Sequence, residues 1–194
     1  MVFPGYDELL LELLYDTERQ LEDFNHLVPF KYNKDVYSPR LVNLLHTTCT
    51  QIETLCSLLV PELNLPGPQG DGIKDVLRQL DANGVLSKMN IYSRKMDEKF
   101  QPFVGGTYEW WTRNNKIKHD LLAKGRAIKY RTVVDGIAAL VCLHRLSSAM
   151  FNSTTFLPSE ILDSQNWYVS ALRFATIMFR IEISYYTKTQ PQAV

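Results

Sequence analysis

The stretch from Thr132 to Leu143 constrains the fold more than any other part of the sequence. Val133, Val134, Ile137, Leu140, Val141 and Leu143 leave it almost no polar face when wound as a helix, and Asp135 alone breaks the run. A helix that is apolar nearly all round has to be covered on every side. The stretch is too short to cross a bilayer, so protein must supply the cover. The spacing therefore predicts a central buried helix over roughly Tyr130 to Phe151.

Other helices are available to surround it. Leu9, Leu10, Leu13, Leu14 and Leu21 recur at helical spacing between Tyr6 and Phe24. Asp7, Glu8, Glu12, Asp16, Glu18, Glu22 and Asp23 stand against the single Arg19, which gives this helix an acidic, solvated outer face. Ser38 followed by Pro39 is a start signal, a capping hydroxyl before a proline in the first turn. Leu41, Leu44, Leu45, Thr48, Ile52, Leu55 and Leu59 then form one stripe that ends at Pro61, enough for a main strut of a bundle. Residues 61–72 are dense in proline and glycine and read as a surface connection. Ile73, Val76, Leu77 and Leu80 mark a shorter helix that stops near Asn83-Gly84. Val85 to Val104, with Pro102, reads as irregular. From Gln165 to Tyr186, Phe174, Ile177, Met178 and Ile181 have helical spacing, yet the ending Phe179 to Tyr186 is β-branched and aromatic and suits a strand equally well. The expected architecture is all-α: one helical bundle over residues 1–194, with a small irregular or strand-like C-terminal segment.

Composition narrows the function classes. The 194 residues carry 21 basic and 21 acidic side chains, so the chain as a whole gives no reason to expect a polyanionic partner or a charged membrane surface. Cys49, Cys56 and Cys142 are too few for a disulfide framework, and Cys49 and Cys56 fall seven apart on one helix face, toward the core. No CxxC pair and no zinc spacing among the four histidines is present, so neither metal nor cofactor is expected. The N-terminal residues carry no basic segment before an apolar run, which leads to the expectation of a cytoplasmic protein without membrane partners.

Basic charge is concentrated in one place. Residues 110–120 read Trp-Trp-Thr-Arg-Asn-Asn-Lys-Ile-Lys-His-Asp. From Arg113 to Arg131 there are seven basic residues (Arg113, Lys116, Lys118, Lys124, Arg126, Lys129, Arg131) against Asp120. Asn115 and His119 are four apart and share a helix face. An imidazole that titrates near neutrality can exchange protons, the cations can hold phosphate, and an indole can stack on a base. The structural alternative is that Trp110 and Trp111 anchor the core and the cations are the wet side of an amphipathic stretch. Gly105-Gly106 lacks the phosphate-loop pattern, and no Ser-His-Asp or Cys-His spacing supports acyl transfer. His144, in line with Ile137, Leu140 and Val141, is expected as a core histidine, and His46 as structural.

Trp110-Trp111-x-x-x-Asn115-x-x-Lys118-His119-Asp120, followed by a long apolar helix, resembles a pattern found among bacterial proteins related to the HEPN superfamily. Those are small α-helical bundles, commonly homodimeric, with an arginine, four to six residues, and then a histidine. Arg113 and His119 meet that spacing with five residues between them. The resemblance implies metal-independent RNA cleavage of a toxin or phage-defence type, in which the ribose 2′-hydroxyl attacks the adjacent phosphate at a dimer interface. Arg113 would steady phosphate charge and His119 would assist proton transfer. Glu53 resembles an acidic residue placed near the pair in some members. Asn114, Asn115, Lys118, Trp110 and Trp111 would support the pair or bind substrate. The implied partners are RNA, a cognate antitoxin protein and a second copy of the chain. The sequence departs from the commonest motif by placing Asn114 where its arginine stands, with Arg113 one position further out. Six positions along a regular helix put Arg113 about 120° from His119. The pair shares a face only if the turn is irregular or a partner subunit supplies one member. The alternative is a non-catalytic helical binding or scaffold protein in which Asn115, Lys118 and His119 hold a helix junction. Catalysis predicts His119 exposed in a basic cleft, and the scaffold predicts it buried and bonded within one chain.

Overall fold

The computed structural model describes residues 6–82, 84–93, 95–150 and 179–183. The helices are α1 (Tyr6–Leu27), α2 (Pro39–Glu62), α3 (Ile73–Leu80), α4 (Glu109–His119), the single turn α5 (Leu121–Lys124) and α6 (Tyr130–Met150). The strands are β1 (Met89–Ser93), β2 (Glu98–Phe100) and β3 (Phe179–Ile183).

The apolar run lies where the sequence requires it. Val133, Val134, Ile137, Leu140 and Leu143 of α6 are fully buried, and α1, α2 and α4 all pack on that helix. Its first turn is tied to the connector ahead of α2: Tyr130 N–H donates to the Val36 carbonyl and Arg131 N–H to the Lys34 carbonyl, both at 3.0 Å. Two of the donors that any helix N-terminus leaves unpaired are thereby satisfied. Tyr130 also meets Phe24 and Phe30 edge to face, with ring centroids 4.9 and 5.0 Å away, which closes that end of the core. Further along α6, a side chain at Gly136 would meet Leu45 Cδ1 at 3.0 Å and Trp110 Cβ at 3.6 Å. The absent side chain lets α2 and α4 approach α6 closely.

In α2 the start signal works as expected: Ser38 Oγ accepts from Arg40 N–H at 3.2 Å, and Pro39 opens the first turn. The predicted stripe from Leu41 to Leu59 is buried, as are Cys49, Cys56 and Cys142. Burial pushes all three thiols up, Cys56 to about 12. Among the described residues no helix is long and apolar enough to cross a membrane.

The all-α expectation needs correcting in one respect. The fold is mostly helical, but it includes a three-stranded antiparallel sheet in the order β2-β1-β3. Ile91 pairs with Phe100 on one side and with Ile181 on the other. Residues 89–100 were expected to be irregular because strands of five and three residues give too little alternation to stand out. The alternation exists in the fold: Met89, Ile91 and Ser93 are buried while Asn90 and Tyr92 are half-buried. At 179–183 the strand alternative is the one adopted, whereas the helix expected from Gln165 onward falls, for residues 165–178, outside the described residues.

Candidate functional site

The chemically loaded segment begins with an unusual backbone. Tyr108, just before α4, sits in the left-handed region at φ 39° and ψ 65°, and no side chain caps the helix. Packing holds it there, against Phe103 at 5.8 Å and Trp110 at 6.1 Å. Trp110 and Trp111 are 2% and 3% exposed, and the Trp110 indole donates to the Pro102 carbonyl at 3.2 Å. Both are core anchors, and neither has a free face on which a base could stack.

Two links fasten α4 to α2. Asn114 is fully buried, and its Oδ1 lies 3.2 Å from His46 Nδ1. One turn on, Lys118 Nζ reaches Glu53 Oε1 at 2.9 Å and lies 5.3 Å from the centre of the Trp111 ring. The partners advance along both helices together, so α4 runs in the same direction as α2. Asn114, not Asn115, is therefore the asparagine that holds the junction. Asn115 is half-buried, and no hydrogen bond joins it to His119 among the described residues. Glu53 is the counter-ion of Lys118.

Arg113 and His119 are not brought together within one chain. Arg113 turns back along α4, with Nε and Nη2 at 3.1 and 3.0 Å from Glu109 Oε1. His119 is the last residue of the regular helix, exposed, about 9 Å further along the axis and on a different side. Lys116, Lys124, Arg126 and Lys129, near it in sequence, are exposed, and among the described residues no carboxylate pairs with them. Lys116, Lys118 and His119 also oppose the negative carbonyl end of α4, a structural benefit in its own right.

A second polar assembly, which the sequence reading passed over, lies at the other end of α4. Arg131 Nε approaches both Asp135 oxygens at 3.2 and 3.1 Å. Its Nη1 donates to Glu98, which also receives Lys34, and its guanidinium stands over the Phe100 ring at 4.8 Å. Burial works to raise the Glu98 carboxyl, but the bonds from Lys34 and Arg131 outweigh it and the carboxyl is lowered. At Asp135 burial prevails over Arg131 and the carboxyl is raised. The available signal was an opposite-charge pair four residues apart at the start of an otherwise apolar helix. This chain of charges borders a cavity of about 650 Å³, walled by the β1–β2 hairpin, the loop before α4, and the first turns of α4 and α6.

The third polar feature lies inside the bundle. His144 is buried, its Nε2 has no hydrogen-bond partner among the described residues, and burial pushes its imidazole down to about 4. It is a core histidine, as expected, but not a fully hydrogen-bonded one. Among the described residues no three His, Cys, Asp or Glu side chains are placed to hold a metal ion.

No family model, no curated protein and no solved structure matches this chain.

Proposed function

We propose that this chain is an RNA-binding helical protein of the HEPN-like kind, with His119 as the proton-transfer group of a metal-independent RNA cleavage carried out by a homodimer. One observation carries the reading: His119 is exposed at the end of α4, in a sequence stretch whose Lys116, Lys124, Arg126 and Lys129 are also exposed and, among the described residues, paired with no carboxylate. A surface of that kind neutralises phosphates, and an accessible imidazole within it can take or give a proton. Arg113 joins such a site only from a second copy, after leaving Glu109. That ion pair is exposed and worth at most about 1 kcal/mol, so a phosphate can displace the carboxylate at little cost. A toxin or phage-defence role with a cognate antitoxin depends on this same reading.

The second reading, a non-catalytic binding or scaffold protein, is favoured by the commitment of Asn114, Lys118 and Glu53 to joining α4 and α2. The two readings separate in one assay. RNA cleavage by the purified chain in excess EDTA is expected to be lost in folded His119→Ala and strongly reduced in folded Arg113→Ala, with circular dichroism as the folding check. An inactive parent, or a His119→Ala variant as active as the parent, leaves the scaffold reading.

A further inference from the structure

We propose that the cavity between the β1–β2 hairpin and the first turns of α4 and α6 binds a neutral, hydroxyl-rich ligand, a mono- or disaccharide. Its volume of about 650 Å³ lies inside the range of roughly 300–1,000 Å³ typical of small-molecule sites. The class of ligand follows from what the walls can hold and what they cannot.

The balance of charge argues against an ion. Two cations, Lys99 and Arg131, and two carboxylates, Glu109 and Asp135, border the cavity, so its wall has no net charge. All four are already engaged. Asp135 and Arg131 pair with each other, Arg131 also holds Glu98, Glu109 holds Arg113, and Lys99 has an interaction of its own. A charged ligand would have to break one of these pairs or lie unmatched, and an unmatched charge taken out of water is costly.

The apolar part of the wall is small. It consists of Pro102, Val104 and the little that Tyr108 and Trp110 expose, at 3% and 2%. That is enough for the C–H face of a sugar ring and too little for a large aromatic ligand.

The rest of the wall interleaves donors and acceptors. Gln101 Nε2 donates to Asn90 Oδ1 at 2.5 Å, which leaves Gln101 Oε1 as an acceptor. Asn90 Nδ2 has two N–H groups, and one of them is committed, to the Lys88 carbonyl at 3.3 Å. The Thr107 and Thr132 hydroxyls each add a donor and an acceptor. Each Asp135 oxygen takes one approach from Arg131 Nε and keeps a lone pair. A sugar hydroxyl both donates and accepts, so neighbouring hydroxyls are met by planar groups that offer two polar atoms side by side. Hydrogen bonds to ionised groups are the stronger ones, so internally paired carboxylates and guanidinium can hold a ligand that has no charge.

The loop entering α4 gives a separate sign. Gly105, Gly106 and Tyr108 all have positive φ. The glycines adopt it freely, but Tyr108, on the cavity wall, does so at a cost of about 1–3 kcal/mol, and such strain tends to persist at ligand sites. The inference does not rest on the RNA reading, since His119 is no part of this wall.

The test is calorimetric titration of the full chain with glucose, galactose, mannose, maltose and cellobiose. Adenosine 5′-monophosphate and serine serve as charged comparisons. Two variants at exposed positions address the cavity: Gln101→Ala, which removes the amide, and Thr107→Trp, which fills the space from the loop. Lys124→Glu, away from the cavity wall, is the control, and circular dichroism checks the folding of all three. The expected result is saturable binding of at least one sugar, weakened tenfold or more in both cavity variants and unchanged in Lys124→Glu. Because the ligand is neutral, that binding should also be the same at low and high salt. Binding of no sugar overturns the inference, as does sugar binding indifferent to both cavity variants. Binding of a charged comparison alone, lost in the cavity variants, overturns the ligand class. RNA cleavage by the same variants reports on the RNA reading separately and should be unaffected by either cavity change.

Discussion

His46 Nδ1 and Asn114 Oδ1 meet at 3.2 Å across the α2–α4 interface, with the asparagine fully buried. The amide oxygen can only accept, so a hydrogen bond here requires the Nδ1–H tautomer of His46. Asn114 Nδ2 has no hydrogen-bond partner among the described residues. Asn114→Ala removes one hydrogen bond and leaves a small void while also removing that unpaired donor. A loss of about 1–2 kcal/mol in denaturant unfolding is expected. The double-mutant cycle with His46→Ala should return a coupling of about 1 kcal/mol. Coupling near zero would mean that the two side chains do not meet in solution.

Lys118 and Glu53 form the second fastening, and both are partly in water. Their coupling, measured by the Lys118→Met and Glu53→Gln cycle, should be about 0.2–1 kcal/mol and should shrink as salt is raised. A coupling that is large and insensitive to salt would place the pair in a far drier setting than its exposure indicates.

Trp110→Ala should destabilise the chain by about 3–5 kcal/mol, because a fully packed indole and its bond to the Pro102 carbonyl are both lost. A Trp110→Ala chain that kept its melting temperature and lost only RNA affinity would reverse the core assignment.

The buried His144 makes stability depend on pH in a defined direction. Its imidazole falls from 6.5 to about 4 through burial. Between these values the unfolded chain binds a proton that the folded chain refuses. Stability is therefore unaffected by this group above about 6.5, declines as pH falls from there, and has lost its full share near 4. The full span corresponds to an upper bound of roughly 3 kcal/mol. His144→Leu should flatten this part of the stability–pH curve in urea titrations from pH 7 to 4. An unchanged slope would assign the acid sensitivity to other groups.

The helices were legible in the sequence because each advertises a local signal: the leucine spacing of α1, the Ser38-Pro39 start of α2, and the nearly all-apolar α6. The sheet was not, since β1 is five residues long and gains its second neighbour from a segment ninety residues later. The site was legible in part. Reading Asn115, Lys118 and His119 as one unit overlooks the turn of the helix between neighbours. Successive residues differ by about 100°, so Asn114 and Lys118 face α2 while His119, next in sequence, faces away from that junction. The residues around the cavity were illegible for a different reason. They come from β1, β2, the loop before α4, α4 and α6, and nothing in their separate spacings announces that the fold brings them together.

The pairing of β1 with β3 has a bearing on how the protein is made. Ile91 must wait for Ile181 before its strand is flanked on both sides. During synthesis the helices from α1 to α6 can assemble while one border of β1 still carries unpaired amides and carbonyls. A bare strand border is an invitation to a neighbouring nascent chain. Ribosome pausing or premature release before residue 179 should therefore yield a helical but aggregation-prone product, and β3 serves as a guard on the finished molecule.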